Sequence, residues 1–366
     1  MTQSHESLRR LFSQAGYAFV EPPIVHPASV FVELAGEDLR RRLYLTSAAD
    51  GTELALRPDY TIPVCLHHLA TGAATRKANY AYLGPVFRHR TNETGEFLQA
   101  GIESLGRTDR VAADADVLKL ALDALALLGV ANTTVRIGDS ALFGAVLDAL
   151  DLSPPWQRRL ARNFGDRERL AALIAHANGG TEADGTLTAP RQRASARRRA
   201  AEALQATGLA TIDGRTADEI ADRMVEKSAI AAGIGDRPAK VLSRFLTVAG
   251  APAKALSVLR ALARSEKLSI DRALDRFEAR AEALTGRGVD LARLTFAADF
   301  GRRLDYYTGF VFEVHDAGRP GSGQIVGGGR YDRLMSLISG AGKGTGGAVV
   351  PAVGFSIWLD RIGGRR

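Results

Sequence analysis

Apolar residues recur along this chain with two different periods, and the places where the period changes divide it into three stretches. Up to about residue 138 the patterns are mixed. Positions 7–14 have helical spacing, with Gly16 as a stop signal. Positions 43–45 and 53–57 have strand character, and 59–70 predicts a helix that begins just after Pro58. Positions 80–88 and 96–105 predict a strand pair, 114–128 a helix and 134–138 a further strand.

From 139 to about 288 strand-like alternation is scarce, and Ala, Leu, Arg and Glu dominate. The spacing predicts helices broken by Gly179-Gly180, by Pro190 and near Pro252, with a loop over 179–190. From about 293 the β character returns. Positions 294–300 and 310–314 predict strands, and another precedes Gly327-Gly328-Gly329. Positions 330–338 predict a helix, 339–347 a flexible loop by composition, and 352–356 a strand running into a last short helix. Strands, then helices, then strands describe an α+β fold: a core of residues 1–138 and 289–366 interrupted by a mostly helical insertion, 139–288.

Composition narrows the function classes. Hydrophobic residues make up 46% and charged residues 24% of the 366 positions, the balance of a globular protein. No apolar run approaches the ~18 residues of a membrane span, and the polar start has no apolar core of a secretory signal. The single cysteine, Cys65, allows neither an internal disulfide nor a thiolate cluster and points to a reducing cytoplasm. None of the seven histidines pairs with a Cys or carboxylate at metal-ligand spacing, so no metal is expected. A net charge of +7 raises nucleic acid as a partner. However, the densest basic run (Arg191, Arg193, Arg197, Arg198, Arg199) has no interleaved aromatics for base stacking, and a solvated helix face accounts for it better.

Five stretches carry candidate chemistry. In Arg57-Pro58-Asp59-Tyr60-Thr61, a carboxylate and a hydroxyl two residues apart at a strand–helix junction accept hydrogen bonds either from an ammonium group or from the helix's own first N–H groups. On a strand over 96–105, Phe97, Gln99, Gly101 and Glu103 share one face. Gly101 would leave room for something to lie against the backbone, with Gln99 and Glu103 addressing it from either side. Arg88, beside this strand, would pair with a carboxylate. In Arg302-Arg303-Leu304-Asp305-Tyr306-Tyr307, the adjacent tyrosines would point to opposite faces of an extended chain, one into the core and one into a pocket. Gly327-Gly328-Gly329-Arg330-Tyr331-Asp332 offers close backbone approach and a helix N-terminus, or a simple strand–helix turn. The stretch 354–361 reads as an apolar strand entering a helix.

In this order the five stretches resemble the catalytic core of the class II aminoacyl-tRNA synthetases, specifically the histidyl enzyme. The segment from Gly16-Tyr17 to Pro23-Ile24 resembles motif 1, which builds the family's dimer interface. Residues 84–106 resemble motif 2, 302–313 and 328–334 the two histidine-specific signatures, and 352–362 motif 3. The resemblance implies an antiparallel sheet flanked by helices, and it assigns roles. Asp59 and Thr61 would hold the α-ammonium of free histidine, with Gln99 near its α-amino or carboxylate end. Glu103 and Tyr307 would face the imidazole, and Tyr331 would close the pocket, with Arg88, Arg302 and Tyr306 completing it.

The departures from the family pattern shape the functional expectation. Where the synthetase places an acidic residue facing the adenine amino group, this chain has Arg90. Where motif 3 has a glycine beside the nucleotide, it has Trp358. Asp360 replaces a Glu, Gly95 stands where an arginine is usual, and Asp59 replaces a Glu. Arg88, Arg302 and Arg361 match the family, and the chain ends at Arg366 without an anticodon-binding domain. These features resemble the regulatory subunits of ATP phosphoribosyltransferase, the first enzyme of histidine biosynthesis. That resemblance implies a cytoplasmic, non-catalytic protein without cofactor that assembles with the short-form catalytic subunit and with itself and confers sensitivity to histidine. The alternative is a truncated synthetase-like enzyme that activates histidine with ATP.

Overall fold

A computed structural model describes residues 3–34, 37–72, 75–91, 93–177, 189–206, 216–302, 306–319, 321, 323–340 and 349–362. The first stretch forms α1 (Gln3–Gln14), β1 (Ala18–Phe19), β2 (Val25–Pro27), α2 (Ala28–Leu34), α3 (Glu37–Arg40), β3 (Leu45–Ser47), β4 (Glu53–Leu56), α4 (Thr61–Ala70), β5 (Ala78–Phe87), β6 (Glu96–Leu105), α5 (Arg110–Leu127) and β7 (Thr133–Asp139). The middle stretch forms α6 (Ser140–Ala149), α7 (Pro154–Arg162), α8 (Arg167–Ala177), α9 (Ala189–Ala206), α10 (Ala217–Ala231), α11 (Asp236–Leu246), β8 (Ala249–Gly250), α12 (Pro252–Glu266) and α13 (Asp271–Gly286). The last forms β9 (Leu294–Ala297), β10 (Phe310–Asp316), β11 (Gln324–Arg330), α14 (Leu334–Ile338) and β12 (Ala352–Trp358).

A nine-stranded sheet in the order β1-β5-β6-β12-β11-β10-β7-β9-β8 organises the molecule, and a small sheet β2-β4-β3 flanks it. The middle of the large sheet is antiparallel. Two outer joints are parallel, β1 with β5 and β7 with β9, which makes the sheet mixed rather than purely antiparallel. The helical stretch supplies an edge strand as well, since β8 pairs with β9. One contiguous apolar core runs from Leu8 and Phe12 of α1 through Val117, Leu118 and Leu125 of α5 to Phe277 of α13 and Phe355 of β12. Burial of this back face drives folding at roughly 25 cal/mol per Å² of apolar surface. It leaves the front face of the central strands to polar residues and glycines.

Two expectations fail locally. The glycines Gly327 to Gly329 do not precede a helix: they lie inside β11, and the helix predicted over 330–338 shrinks to Leu334–Ile338. The apolar spacing of Tyr331, Leu334, Met335 and Ile338 is helical, but Arg330 still pairs with Val353 in the sheet. The glycines there admit neighbours: a Cβ on Gly328 would come within 2.5 Å of both the Phe312 ring and the Gly354 carbonyl. The loops expected over 179–190 and 339–347 fall largely outside the described residues, as do Arg303, Leu304 and Asp305.

Candidate ligand-binding site

Strand registers build the site. On β6, Phe97, Gln99, Gly101 and Glu103 share the front face, as their spacing of two requires. Opposite them stand Val86, Gly84, Tyr82 and Tyr80 of β5 on one side, and Trp358, Ser356 and Gly354 of β12 on the other, facing Gln99, Gly101 and Glu103. The row continues through Gly329 and Gly327 of β11 and Glu313 of β10 to Arg136 of β7. Sequence reasoning places Gln99 and Glu103 here. It misses Arg136, Glu313 and Ser356, whose only signal is the same alternation on strands paired by the fold.

Above this floor lies a cavity of about 490 Å³ whose lining includes all nine expected residues: Asp59, Thr61, Arg88, Gln99, Glu103, Arg302, Tyr306, Tyr307 and Tyr331. Asp59 and Thr61 arrive from the start of α4. Arg57 fixes that junction, donating to the carbonyls of Pro22 (2.6 Å) and Pro85 (2.9 Å) and to the Tyr60 hydroxyl (2.5 Å). Tyr60 in turn stacks on Tyr82, ring centroids 4.3 Å apart. Arg88 follows β5 and is oriented by its Nε–H, donated to the Pro58 carbonyl at 2.6 Å.

Two placements differ from the sequence expectation. The space above Gly101 is filled by the chain itself: the Tyr82 ring crosses it and its hydroxyl meets Ser356 Oγ (2.7 Å) and the Phe355 carbonyl (3.1 Å), so no ligand lies against that backbone. Tyr306 and Tyr307 do not alternate on an extended strand. They precede β10, their rings are 4.9 Å apart, and both line the cavity. Thr61 donates its hydroxyl proton to Glu103 Oε1 at 2.8 Å, which leaves its oxygen as an acceptor. Glycines elsewhere make room for charged side chains. The Glu103 carboxylate lies over Gly354 and the Arg302 guanidinium over Gly327, and a Cβ at either glycine would collide with them.

The electrostatics separate two regions. Glu103 accepts from Thr61 and from the Tyr331 hydroxyl, yet burial pushes its carboxyl up to about 8. Burial also raises Asp59, an effect the nearby Arg88 guanidinium opposes. Asp59 Oδ2, both amide atoms of Gln99 and Arg302 Nε are buried without a hydrogen-bond partner. Buried polar groups without partners are costly, and these converge on one cavity. A larger cavity of about 860 Å³ between α8 and α11 has none of these unpartnered atoms in its lining.

At the other end the cavity is filled from within. The Trp358 indole is 4% exposed and packs in a cluster with Tyr60, Val64, Tyr82, Val86 and Phe97. The Arg90 guanidinium sits 4.0 Å from the Phe97 ring centre and pairs with Asp360 at 2.8 Å and with Glu93 at 2.6 Å. Arg361 donates to the Gln324 carbonyl at 2.7 Å. Among the described residues, no group of three His, Cys, Asp or Glu is placed to hold a metal, and no helix is long and apolar enough to cross a membrane.

Known proteins share this arrangement of elements. The histidyl-tRNA synthetase family model matches residues 1–220 and 210–362. The ATP phosphoribosyltransferase regulatory subunit of Brucella ovis is 42% identical over 352 residues, covering 94% of this chain and 92% of its own. That of Brucella abortus (strain 2308) is 42% identical, covering 94% and 91%. Two solved structures share the fold. A protein described as an ATP phosphoribosyltransferase regulatory subunit/histidyl-tRNA synthetase from Bacillus halodurans C has a TM-score of 0.64 and 21% identity, covering 99% of this chain and 79% of its own. The histidyl-tRNA synthetase from Nostoc sp. PCC 7120 has a TM-score of 0.64 and 19% identity, covering 98% and 69%.

Proposed function

Because the chain belongs to the ATP phosphoribosyltransferase regulatory subunits, built on a histidyl-tRNA synthetase-type fold, we propose that its cavity holds free histidine as an effector and that histidine binding here restrains a catalytic partner. The role is regulatory rather than catalytic. The partner is the short-form ATP phosphoribosyltransferase subunit, a glycosyltransferase, and the setting is the cytoplasm. The chain also pairs with a second copy of itself through the segment from Gly16 to Ile24.

The observation that carries this reading is the contrast between the two ends of one cavity. At the amino acid end, Asp59 Oδ2 and both polar atoms of Gln99 are buried and unpartnered. Asp59, the Thr61 oxygen and the Gln99 carbonyl suit an α-ammonium, while Arg88 and Arg302 suit the carboxylate. Glu103, with Tyr331 and Tyr307, suits an imidazole, whose N–H groups need acceptors and an aromatic wall. At the other end Trp358 and the Arg90–Asp360 pair occupy the volume beside Phe97 where a nucleotide would be needed to activate that amino acid. The arginines that match the synthetases are partly committed to the chain's own carbonyls, Arg88 to Pro58 and Arg361 to Gln324.

Control of the partner would follow from linkage: histidine bound more tightly to a low-activity state of the complex shifts the population toward that state. Reconstitution with the catalytic subunit from the same source tests this, with phosphoribosyl transfer measured with and without histidine. Complex formation, higher activity and inhibition by histidine support the reading. Absence of binding and of any rate effect would refute it, as would ATP–pyrophosphate exchange by this chain with histidine.

A further inference from the structure

Behind the cavity floor runs a buried chain of charges that none of the roles above uses. Arg330, the last residue of β11, faces α5, where its Nε and Nη2 donate to Asp114 Oδ1 at 2.9 and 2.6 Å. The other oxygen of Asp114 accepts from Arg280 Nε at 3.0 Å. Arg280 belongs to α13, and its Nη1 donates to Asp139 Oδ2 at 2.9 Å. Asp139 caps α6 with its remaining oxygen, accepting from the N–H groups of Ala141 and Leu142. At the opposite end, Arg330 Nη1 donates to Asp332 Oδ1 at 2.9 Å, and the same oxygen accepts the Ala352 N–H at 3.0 Å. Asp114, Asp139, Arg280, Arg330 and Asp332 are each 7% exposed or less.

Tyr331 lies between Arg330 and Asp332, and Asp332 also pairs with Arg110 at 3.2 Å. The side chains of Arg330 and Asp332 bond to each other across Tyr331, and its own N–H donates to the Ala352 carbonyl at 2.8 Å. Its backbone is thereby held from behind the sheet while its ring enters the cavity and its hydroxyl reaches Glu103. For stability alone an apolar cluster would serve as well as buried ions. What these ions add is direction: two N–H groups of Arg330 converge on one Asp114 oxygen, and Arg280 bridges Asp114 to Asp139.

We infer that Arg280, contributed by the helical middle of the chain, is a positioning residue for Tyr331 and through it sets how tightly the cavity grips an imidazole side chain. The inference rests on the reading that the cavity takes histidine. It connects a helix far along the sequence to the tyrosine whose hydroxyl donates to Glu103 Oε2. It also gives the Gly-Gly-Arg-Tyr-Asp stretch a division of labour: Tyr331 faces the ligand while Arg330 and Asp332 anchor it.

The test is calorimetric titration of the full chain with histidine, for the native protein, Arg280→Met, Arg280→Lys, Tyr331→Phe and the double variants. Arg287→Met serves as a control, since Arg287 lies just beyond α13 and pairs with Asp116 instead. Expected is a loss of about tenfold or more for Arg280→Met in the native background, but less than about twofold when Tyr331 is already Phe, the signature of two residues acting through one contact. Arg280→Lys should fall between, and the control should match the native protein. Equal losses in both backgrounds, or no loss in a folded Arg280→Met, overturn the inference; if Arg280→Met does not fold, Arg280→Lys decides by the same criterion. A second readout needs no ligand. The Tyr331 hydrogen bond lowers the Glu103 carboxyl, so displacing Tyr331 extends the pH-dependent loss of stability due to Glu103 to higher pH. If the native chain fails to bind histidine, the functional reading fails, and this pH shift still confirms or overturns the positioning role by itself.

Discussion

Arg90 reaches across to Asp360 at 2.8 Å and lays its guanidinium over the Phe97 ring, so a residue of the β5–β6 hairpin and one from the turn after β12 lock the end of the cavity next to Trp358. In the synthetase pattern the positions of Arg90 and Trp358 belong to an acidic residue and a glycine. In the proposed reading, the ion pair and the indole close the nucleotide end while the amino acid end stays open.

Opening that end should restore nucleotide binding without restoring the enzyme. In Trp358→Gly combined with Arg90→Ala, removal of a buried indole is expected to cost about 3–5 kcal/mol of stability. ATP affinity, read by calorimetry at low temperature, should rise by at least about tenfold, or about 1.4 kcal/mol. Should the native chain bind ATP as tightly as the double variant, Trp358 and Arg90 are not what closes the site.

In the proposed site, Gln99 would set ligand affinity against fold stability. Its amide is fully buried and both polar atoms lack partners. Burial of an unpaired amide costs about 1–3 kcal/mol. Gln99→Met, of similar volume, should therefore raise the melting temperature. It should also weaken histidine binding by roughly 10–100-fold, the worth of hydrogen bonds to charged groups. A variant that loses stability and keeps its affinity would show that the amide is satisfied in a way this geometry does not provide.

How much of the site is legible in sequence depends on how local each relationship is. The alternation along β6 is enough to put Gln99 and Glu103 on one face, because the period of a strand is built into the backbone. The α+β order is equally legible, since helical and strand periods differ along the chain. Contacts set by register across strands are not. Tyr82 fills the space above Gly101 because the two are paired across the β5–β6 hairpin, and nothing in either stretch alone announces it. The Thr61–Glu103 bond joins residues 42 apart in the chain. Arg280 looks like any arginine on an amphipathic helix until β11 and α5 bring Asp114 beside it. The run Gly327 to Gly329 misleads because glycines before an apolar i, i+3, i+4 pattern resemble a strand–helix turn. Their actual use is to let Arg302 and the neighbouring strands come close.

That close approach predicts the effect of a single methyl group. Gly327→Ala places a Cβ where the Arg302 guanidinium now lies. The obstacle is the far end of a flexible side chain, so the fold should survive with little change in melting temperature. If Arg302 holds the ligand carboxylate as proposed, it is displaced, and histidine affinity should fall by about tenfold or more, given about 1.5–3 kcal/mol for a charge-assisted hydrogen bond. Binding of histidinol, which lacks the carboxylate, should change far less. Equal losses for both ligands would place the Arg302 effect elsewhere.

Glu103 makes the stability of the unliganded chain depend on pH in a direction its environment fixes. The carboxyl is buried and faces Asp59 and the hydroxyls of Thr61, Tyr82 and Tyr331, and it titrates at about 8 in the folded chain against 4.5 as its ordinary value. A raised value means that the folded state holds the proton more tightly than the unfolded state. The protonated group therefore favours folding below about 4.5, and this contribution is lost as pH rises through the window up to about 8. Glu103→Gln mimics the protonated form at every pH. Relative to the native protein it should be equally stable near pH 4 and increasingly more stable through pH 8, by an amount on the order of a few kcal/mol. Histidine binding should weaken in the same variant, because an amide cannot give up a proton to become a carboxylate facing the imidazole, as the native carboxyl can. Melting curves of both proteins from pH 4 to pH 9 decide the matter. A stability difference that stays flat, or that grows toward acid, would mean that Glu103 is already ionised and compensated in the empty cavity.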